Sequence, residues 1–529
     1  MPSNRKYVRH MIGGGWATDF GPSYDTGPAQ NGDLVFPFLI EAKNGFFELD
    51  GGFHKIGGTT KGNSSALESG AEVMGMFDYW RAGTGATAAQ KRVVHVGTKI
   101  KADAADFTFA DIATSQTEHA VPSYCVFEDS LILSNDSGSD APRTYDQTTC
   151  AALGGSPPTF AFCVEHKNRL WAAGVNSNPS RLYYSAQLSA TDWSGATAGT
   201  IDIGTTDGDR ITGLVSYKNE LWVFKGPYKG SIYRITGSAP TGSDAFGKPY
   251  PFIRGIGAVW HNTIFHFRDD IGFMWSDGSI HSLKATAAYG DFNESALSRP
   301  IHRYLNDHLT ISALRKVWAV TLSRKSVVYF CIPIDSSNFC NQVLAMDYAR
   351  QAVWWSEIPI WNASCMAAAV DASDSNRHKV FIGGRDGFVR KADVANRSID
   401  TSGSYTSSVT FPSTTYGETF LMKTLDEAAV GIQPKGPYTL TLGWQRDDAA
   451  QQTQTVTQAG GVALNDFQLD DDYLGGGTGY VPRFLSLAEG GEFRSLQLQV
   501  SNAGTDEDLE VHTLVVGMDI GAKSLENMT

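Results

Sequence analysis

Two carboxylate groupings are the first residues in this chain with types and spacing suited to chemistry. Asp269-Asp270 and the Asp207/Asp209 pair are candidates for the acid and base of a glycosidase, which works with two carboxyl groups flanking one bond. Adjacent acids on a turn normally point into water, and Ser276-Asp277-Gly278 falls short of a sialidase-type Asp box. Trp354-Trp355 and Trp361 are the aromatic candidates for a sugar platform, although such spacing also suits strand core. A second grouping is basic. Lys225, Lys229, Arg234, Lys248 and Arg254 concentrate positive charge that could meet DNA phosphates, or could protect a solvated blade edge.

The remaining chemical signals are weaker. Asp136-Ser137-Gly138-Ser139-Asp140, Asp470-Asp471-Asp472 and Asp506-Glu507-Asp508 could surround calcium, but they lack the twelve-residue ligand pattern and read as solvated loops. His95, His166, His261 and His266 are scattered among strands and read as packed side chains. The six cysteines form no C-x-x-C and read as reduced core residues. No nucleophile elbow, zinc-protease helix or phosphate loop is evident. Catalytic residues, cofactors and metals are therefore not expected.

The elements that must position these residues recur. Phe162-Cys163-Val164, Leu170 to Gly174 and Arg181 to Ser185 form one copy of a strand–turn–strand–strand unit. Tyr217 to Gly226 with Ser231 to Gly237 forms the next. Apolar anchors at Phe46, Val93, Leu131, Leu170, Leu221, Ile264, Val327 and Val380 are separated by 38 residues (Val93 to Leu131) to 63 residues (Ile264 to Val327). Four-stranded propeller blades need roughly 40–50 residues each. Continuous apolar runs such as Val93-Val94-His95-Val96 suit strands covered on both faces. Asp277-Gly278 and Asp386-Gly387 are hairpin turns. The chain is thus expected to be all-β: a β-propeller of about seven blades, with six and eight as alternatives, over residues 39–398. A pair of β-sandwiches is the competing fold.

Beyond the propeller, residues 400–416 are rich in Ser, Thr and Gly, and strict alternation follows at Thr439 to Trp444 and Leu496 to Val500. Residues 399–529 are expected to be a linker and a C-terminal β-sandwich, with a mobile loop over Asn465 to Gly479. Residues 1–38 are expected to be an extended arm with a basic tip at Arg5, Lys6, Arg9 and His10. Asn306 to Lys316 is one of few helical candidates.

Composition narrows the function classes. The chain has 529 residues, 55 of them Gly, with 12 Trp, 20 Tyr and 28 Phe, which favours β structure with glycine turns. A net charge of −13 argues against tight nucleic-acid binding. Met1 to Phe20 has no apolar run of signal length, and no stretch approaches a membrane span.

Three features together resemble the tail nozzle, or tail tubular hub, proteins of short-tailed bacteriophages. They are Gly14-Gly15-Trp16-Ala17-Thr18-Asp19-Phe20, the Lys218-Asn219-Glu220-Leu221-Trp222-Val223-Phe224 type of hairpin, and the segment Glu492-Phe493-Arg494 to Thr513 containing Val500-Ser501-Asn502-Ala503-Gly504-Thr505. The resemblance implies a structural virion protein, assembled in the bacterial cytoplasm as a homo-oligomer, a ring of six. Its partners would be portal and adaptor proteins, tail fibres or spikes, and genomic DNA in transit through a central channel. It implies no catalytic residues. An acidic channel wall would repel DNA and let it slide. In this reading, deleting residues 1–38 leaves a folded chain that assembles poorly. The alternative function is a carbohydrate-binding or polysaccharide-degrading propeller on a virion surface; a cellular propeller scaffold is a third class.

Overall fold

A computed structural model describes residues 5–21, 23, 33–82, 89–103, 106–247, 249–289, 296–371, 373–375, 377–400, 402–434, 438–458, 481–486 and 491–520. The Asp470-Asp471-Asp472 cluster, the loop containing it and Lys248 lie outside these residues. The protein is mostly β, with a six-blade propeller arrangement and an additional curled sheet. It divides into two compact units that do not follow the boundaries 1–38, 39–398 and 399–529. One unit combines residues 1–60, 344–360 and 393–529; the other holds 61–343 and 361–392.

The second unit is the propeller. Its first four blades are four-stranded antiparallel sheets starting at Val73–Arg81, Pro122–Phe127, Phe162–His166 and Arg210–Tyr217. The fifth has three strands, Phe265–Phe267, Asp270–Met274 and Ile280–Ser282. The sixth begins with Cys365–Asp371 and Arg377–Gly383. Between the fifth and sixth lies the strand pair Trp318–Leu322 and Val327–Ile332. First strands meet from the first blade to the fourth; Phe265–Phe267 of the fifth meets Trp318–Leu322, which meets Cys365–Asp371, and Cys365–Asp371 returns to Val73–Arg81.

Four first hairpins close through two-residue loops: Glu128-Asp129, Lys167-Asn168, Lys218-Asn219 and Arg268-Asp269. Lys167, Asn168, Lys218 and Asn219 have φ of 52°, 58°, 48° and 63°. Two successive left-handed residues match the twist of the flanking strands, so a tight hairpin forms and fixes register.

Apolar side chains fill the spaces where neighbouring blades pack face to face. Tyr79, Val93 and Ile100 of the first blade cluster with Leu131, Leu133 and Tyr145 of the second. Phe127 and Ile132 of the second cluster with Phe160, Cys163 and Leu170 of the third. Phe224 and Ile232 of the fourth cluster with Ile271, Phe273 and Leu283 of the fifth. Each such fully buried side chain contributes about 1.5–3 kcal/mol of transfer free energy.

Eight anchors exceeded six blades for two reasons. Phe46 lies in Gly45–Phe47, which pairs with Phe53–Lys55 in the other unit. Val327 belongs to the strand pair between the fifth and sixth blades. The helical candidate resolves into an α-helix at His302–His308 and a 3-10 helix at Ile311–Lys316.

The other unit contains two sheets. One runs in the order Asp33–Phe36, Arg5–Ile12, Leu509–Ile520, Lys423–Pro434, Val481–Ser486. The other carries Trp354–Glu357, Glu41–Lys43, Ser407–Thr410, Leu496–Asn502, Tyr438–Arg446 and Gln452–Gln458 side by side. The alternating segments at 439–444 and 496–500 are strands of this second sheet, with the buried–half-buried alternation expected of one wet face. The arm expectation changes here. Arg5–Ile12 is an interior strand, parallel to Asp33–Phe36 on one side and antiparallel to Leu509–Ile520 on the other. Val8 and His10 are buried, and the His10 ring packs on Phe36, Phe411 and Tyr416 at 5.1, 5.8 and 5.5 Å. His10 is thus a core residue rather than part of a basic tip.

Candidate functional site

The structure separates the carboxylates that the sequence placed together. Asp269 sits on the Arg268-Asp269 turn with its side chain 74% exposed, held by Lys218 at 2.8 Å and Lys284 at 3.2 Å. Those ammonium groups, Lys218 foremost, hold its carboxyl below the usual range. Asp270 points the other way. It is buried, accepts the Ile271 N–H at 2.8 Å and the Ser282 hydroxyl, and burial pushes its carboxyl up. One acid faces water and its neighbour faces the interior, so they do not flank a common bond.

Asp207 and Asp209 are also committed. Both Asp207 carboxylate oxygens accept from Lys225 Nζ at 2.7 Å. Asp209 is buried and gathers the N–H groups of Tyr228, Lys229 and Gly230 at 2.8, 2.9 and 2.7 Å. It fixes the turn that closes the fourth blade's second hairpin.

Lys225 does not fit its expected role. It is fully buried, and its ammonium also donates to the Ile203 and Gly204 carbonyls at 2.8 Å each. A side chain without solvent exposure cannot meet a phosphate. Lys229, Arg234 and Arg254 are exposed. Arg234 and Arg254 lie on the third and fourth strands of their blade, away from the ring of first strands, and Arg234 pairs with Glu220 at 3.5 Å. The sugar platforms change too: Trp355 and Trp361 are fully buried core side chains.

The other loops are internally satisfied. Asp140 accepts Thr117 N–H at 2.8 Å and Asn135 Nδ2 at 2.7 Å, and Asp136 accepts Val121 N–H at 2.7 Å. Glu507 accepts Thr439 N–H at 2.7 Å, while Asp508 meets His54 at 2.6 Å and Arg397 at 3.0 Å. His95 bonds Tyr124 at 2.9 Å, His166 bonds Ser216 at 2.8 Å, and His261 stacks on Phe162 at 4.9 Å. Among the described residues, one group could approach a metal: Asp50, Glu510 and His512. His512 meets Asp50 through Nδ1 at 3.6 Å and Glu510 through Nε2 at 2.8 Å, so the imidazole lies between the two acids.

The open site lies elsewhere, where the first strands of the blades begin. A cleft of about 510 Å³ is lined by Arg210, Tyr228, Trp260, Ser276, Ser312 and Arg315, among others. Arg210 starts the fourth blade's first strand, Trp260 precedes the fifth blade, and Arg315 lies on the 3-10 helix Ile311–Lys316. Both guanidinium carbons sit over the Trp260 ring, Arg315 at 4.5 Å and Arg210 at 5.6 Å. Asp136 pairs with Arg315. Arg210 is half-buried and bonds the neutral Asn176 at 3.2 Å. Burial and then the neighbouring Arg315 charge lower its pKa. A neighbouring cleft of about 460 Å³ shares Arg315 and Ser312 and adds His119 and Lys316. Beneath it, Glu72 lies 3.5 Å from His119, and burial pushes its carboxyl up. The sequence hid this site because its residues come from separate blades; the only local sign was the basic Arg315-Lys316 end of a helical candidate.

No protein-family model matches the chain, and no curated protein matches it. Solved structures similar in outline include YCF48 bound to D1 peptide, at 10% identity and TM-score 0.35 over 62% of this chain and 94% of that one. A glycoside hydrolase matches at 10% identity and TM-score 0.23, over 85% and 98%. The exo-β-1,3-galactanase of Phanerochaete chrysosporium with galactose matches at 10% identity and TM-score 0.25, over 93% and 99%. Among the described residues, no helix is long and apolar enough to cross a membrane.

Proposed function

We propose that this chain is a structural virion subunit: the nozzle or hub of a short-tailed phage tail, assembled as a ring of six around a DNA channel. The sequence resemblance motivates the reading. The observation that supports it is the structural commitment of all four candidate catalytic carboxylates, Asp207, Asp209, Asp269 and Asp270. A propeller whose acids brace turns and strands suits a scaffold. The net charge of −13, repeated around a ring, suits a conduit that DNA must not grip. Copies of one chain closing a ring would use heterologous contacts.

The test is mass and shape. Light scattering and electron microscopy of the chain, alone and mixed with portal and adaptor proteins, should give a six-fold ring with a central hole. A monomer that ignores both partners overturns the reading. A ring whose lumen is lined by Lys and Arg overturns the acidic-conduit part of it.

A further inference from the structure

The cleft at the start of the fourth and fifth blades has a charge that the protein does not balance. Asp136 takes one terminal nitrogen of Arg315, leaving its Nε and Nη1 without a hydrogen-bond partner among the described residues. Arg210 donates Nη2 to the neutral Asn176 and has no carboxylate within ion-pair distance among the described residues. Two guanidiniums and one carboxylate leave one net positive charge in a partly desolvated cleft. The free donors of Arg210 and Arg315 reach the cleft, and their planar array matches a carboxylate.

The rest of the cleft is not built for a bare anion. Ser276 and Ser312 bring side-chain hydroxyls without protein partners. Tyr228 stands at the wall 81% exposed, although Asp209 fixes its backbone through three N–H bonds to Tyr228, Lys229 and Gly230. An uncovered aromatic ring on a fixed backbone at a cleft wall suits the face of a sugar ring. The volume of about 510 Å³ lies in the range that encloses a small organic ligand.

We propose that this cleft binds a carboxylated sugar of the uronic-acid class, with Arg210 and Arg315 holding the carboxylate, Ser276 and Ser312 facing the hydroxyls, and Tyr228 covering the ring. The proposal does not rest on ring assembly, because a single chain carries the whole cleft.

Titration calorimetry of the full chain with glucuronate tests it, with glucose and inorganic phosphate as controls. Glucuronate should bind at least about tenfold more tightly than either, since a charge-assisted pair and an aromatic face are both required. Arg210→Gln and Tyr228→Ala should each weaken glucuronate by several-fold to tenfold. Tyr228→Ala removes an exposed side chain, so it keeps the test valid if Arg210→Gln fails to fold. Glucose binding as well as glucuronate, phosphate binding as well or better, no binding at all, or full affinity in Tyr228→Ala would each overturn the assignment.

Discussion

Lys225 Nζ lies 2.7 Å from both carboxylate oxygens of Asp207, and the lysine has no solvent exposure. A basic residue in a charged stretch thus acts as an internal strut. Its ammonium ties the fourth blade's second strand to the Ile203-Gly204 backbone that leads into that blade.

Lys225→Met should therefore cost about 3 kcal/mol or more, because it leaves Asp207 and two carbonyls without their donor. Lys229→Ala, at an exposed position nearby, should change stability by less than about 0.5 kcal/mol. Urea denaturation of both variants checks this, and equal midpoints would contradict the strut.

Acid should weaken the fold well before the carboxylates protonate. Burial lowers the imidazoles of His10 and His95 to about 3, and those of His166 and His281 to about 4. The unfolded chain takes up these protons near pH 6.5 while the folded chain does not. Stability is therefore fully present above pH 6.5 and falls as pH drops toward 4 and 3. At pH 5 each group costs about 2 kcal/mol. Denaturant midpoints should fall steadily from pH 7 to pH 5, and His95→Gln should flatten that slope by up to one such increment. A flat profile in the native chain would refute it.

Removing residues 1–12 should unfold or strongly destabilise the unit they join, rather than merely impair assembly. The deletion removes the buried Val8, His10 and Ile12, and it strips both Asp33–Phe36 and Leu509–Ile520 of a neighbour. Thermal melting of the truncated chain should show a lost or lowered transition. An unchanged melt would mean the strand contributes little.

The thiols should be quiet. Cys125, Cys163, Cys331, Cys340 and Cys365 are buried, and Cys150 is half-buried. Burial raises the Cys150 thiol, and raises Cys163, Cys331 and Cys365 further. Titration with a thiol reagent at pH 8 should label Cys150 alone, slowly, and all six after denaturation. Rapid labelling of several cysteines in the native chain would argue against this packing.

What was legible in the sequence was local. Lys218-Asn219 between apolar runs announced a hairpin because a two-residue turn is decided by the residues in it. Lys225 was misread because its partner Asp207 lies upstream in another turn, and charge alone does not say which way a strand residue faces. The Arg210–Trp260–Arg315 cleft was invisible for the same reason: its residues come from a strand, a connection and a 3-10 helix far apart in sequence. Strict alternation at 439–444 revealed a strand but not its neighbours, which are drawn from residues 452–458 and 496–502.

The pairing of Arg5 with Asp519 also sets an order of biogenesis. The propeller hairpins close over a few residues and can form as the chain emerges, whereas Arg5–Ile12 waits for a partner made about 500 residues later. At ~5–20 residues per second that interval is roughly 25–100 s. Throughout it the edge of Arg5–Ile12 that faces Leu509–Ile520 stays open, while Asp33–Phe36 is available for the other. The unit that holds both Arg5–Ile12 and Leu509–Ile520 is therefore completed later than the propeller hairpins, and is the point at which a chaperone would matter most.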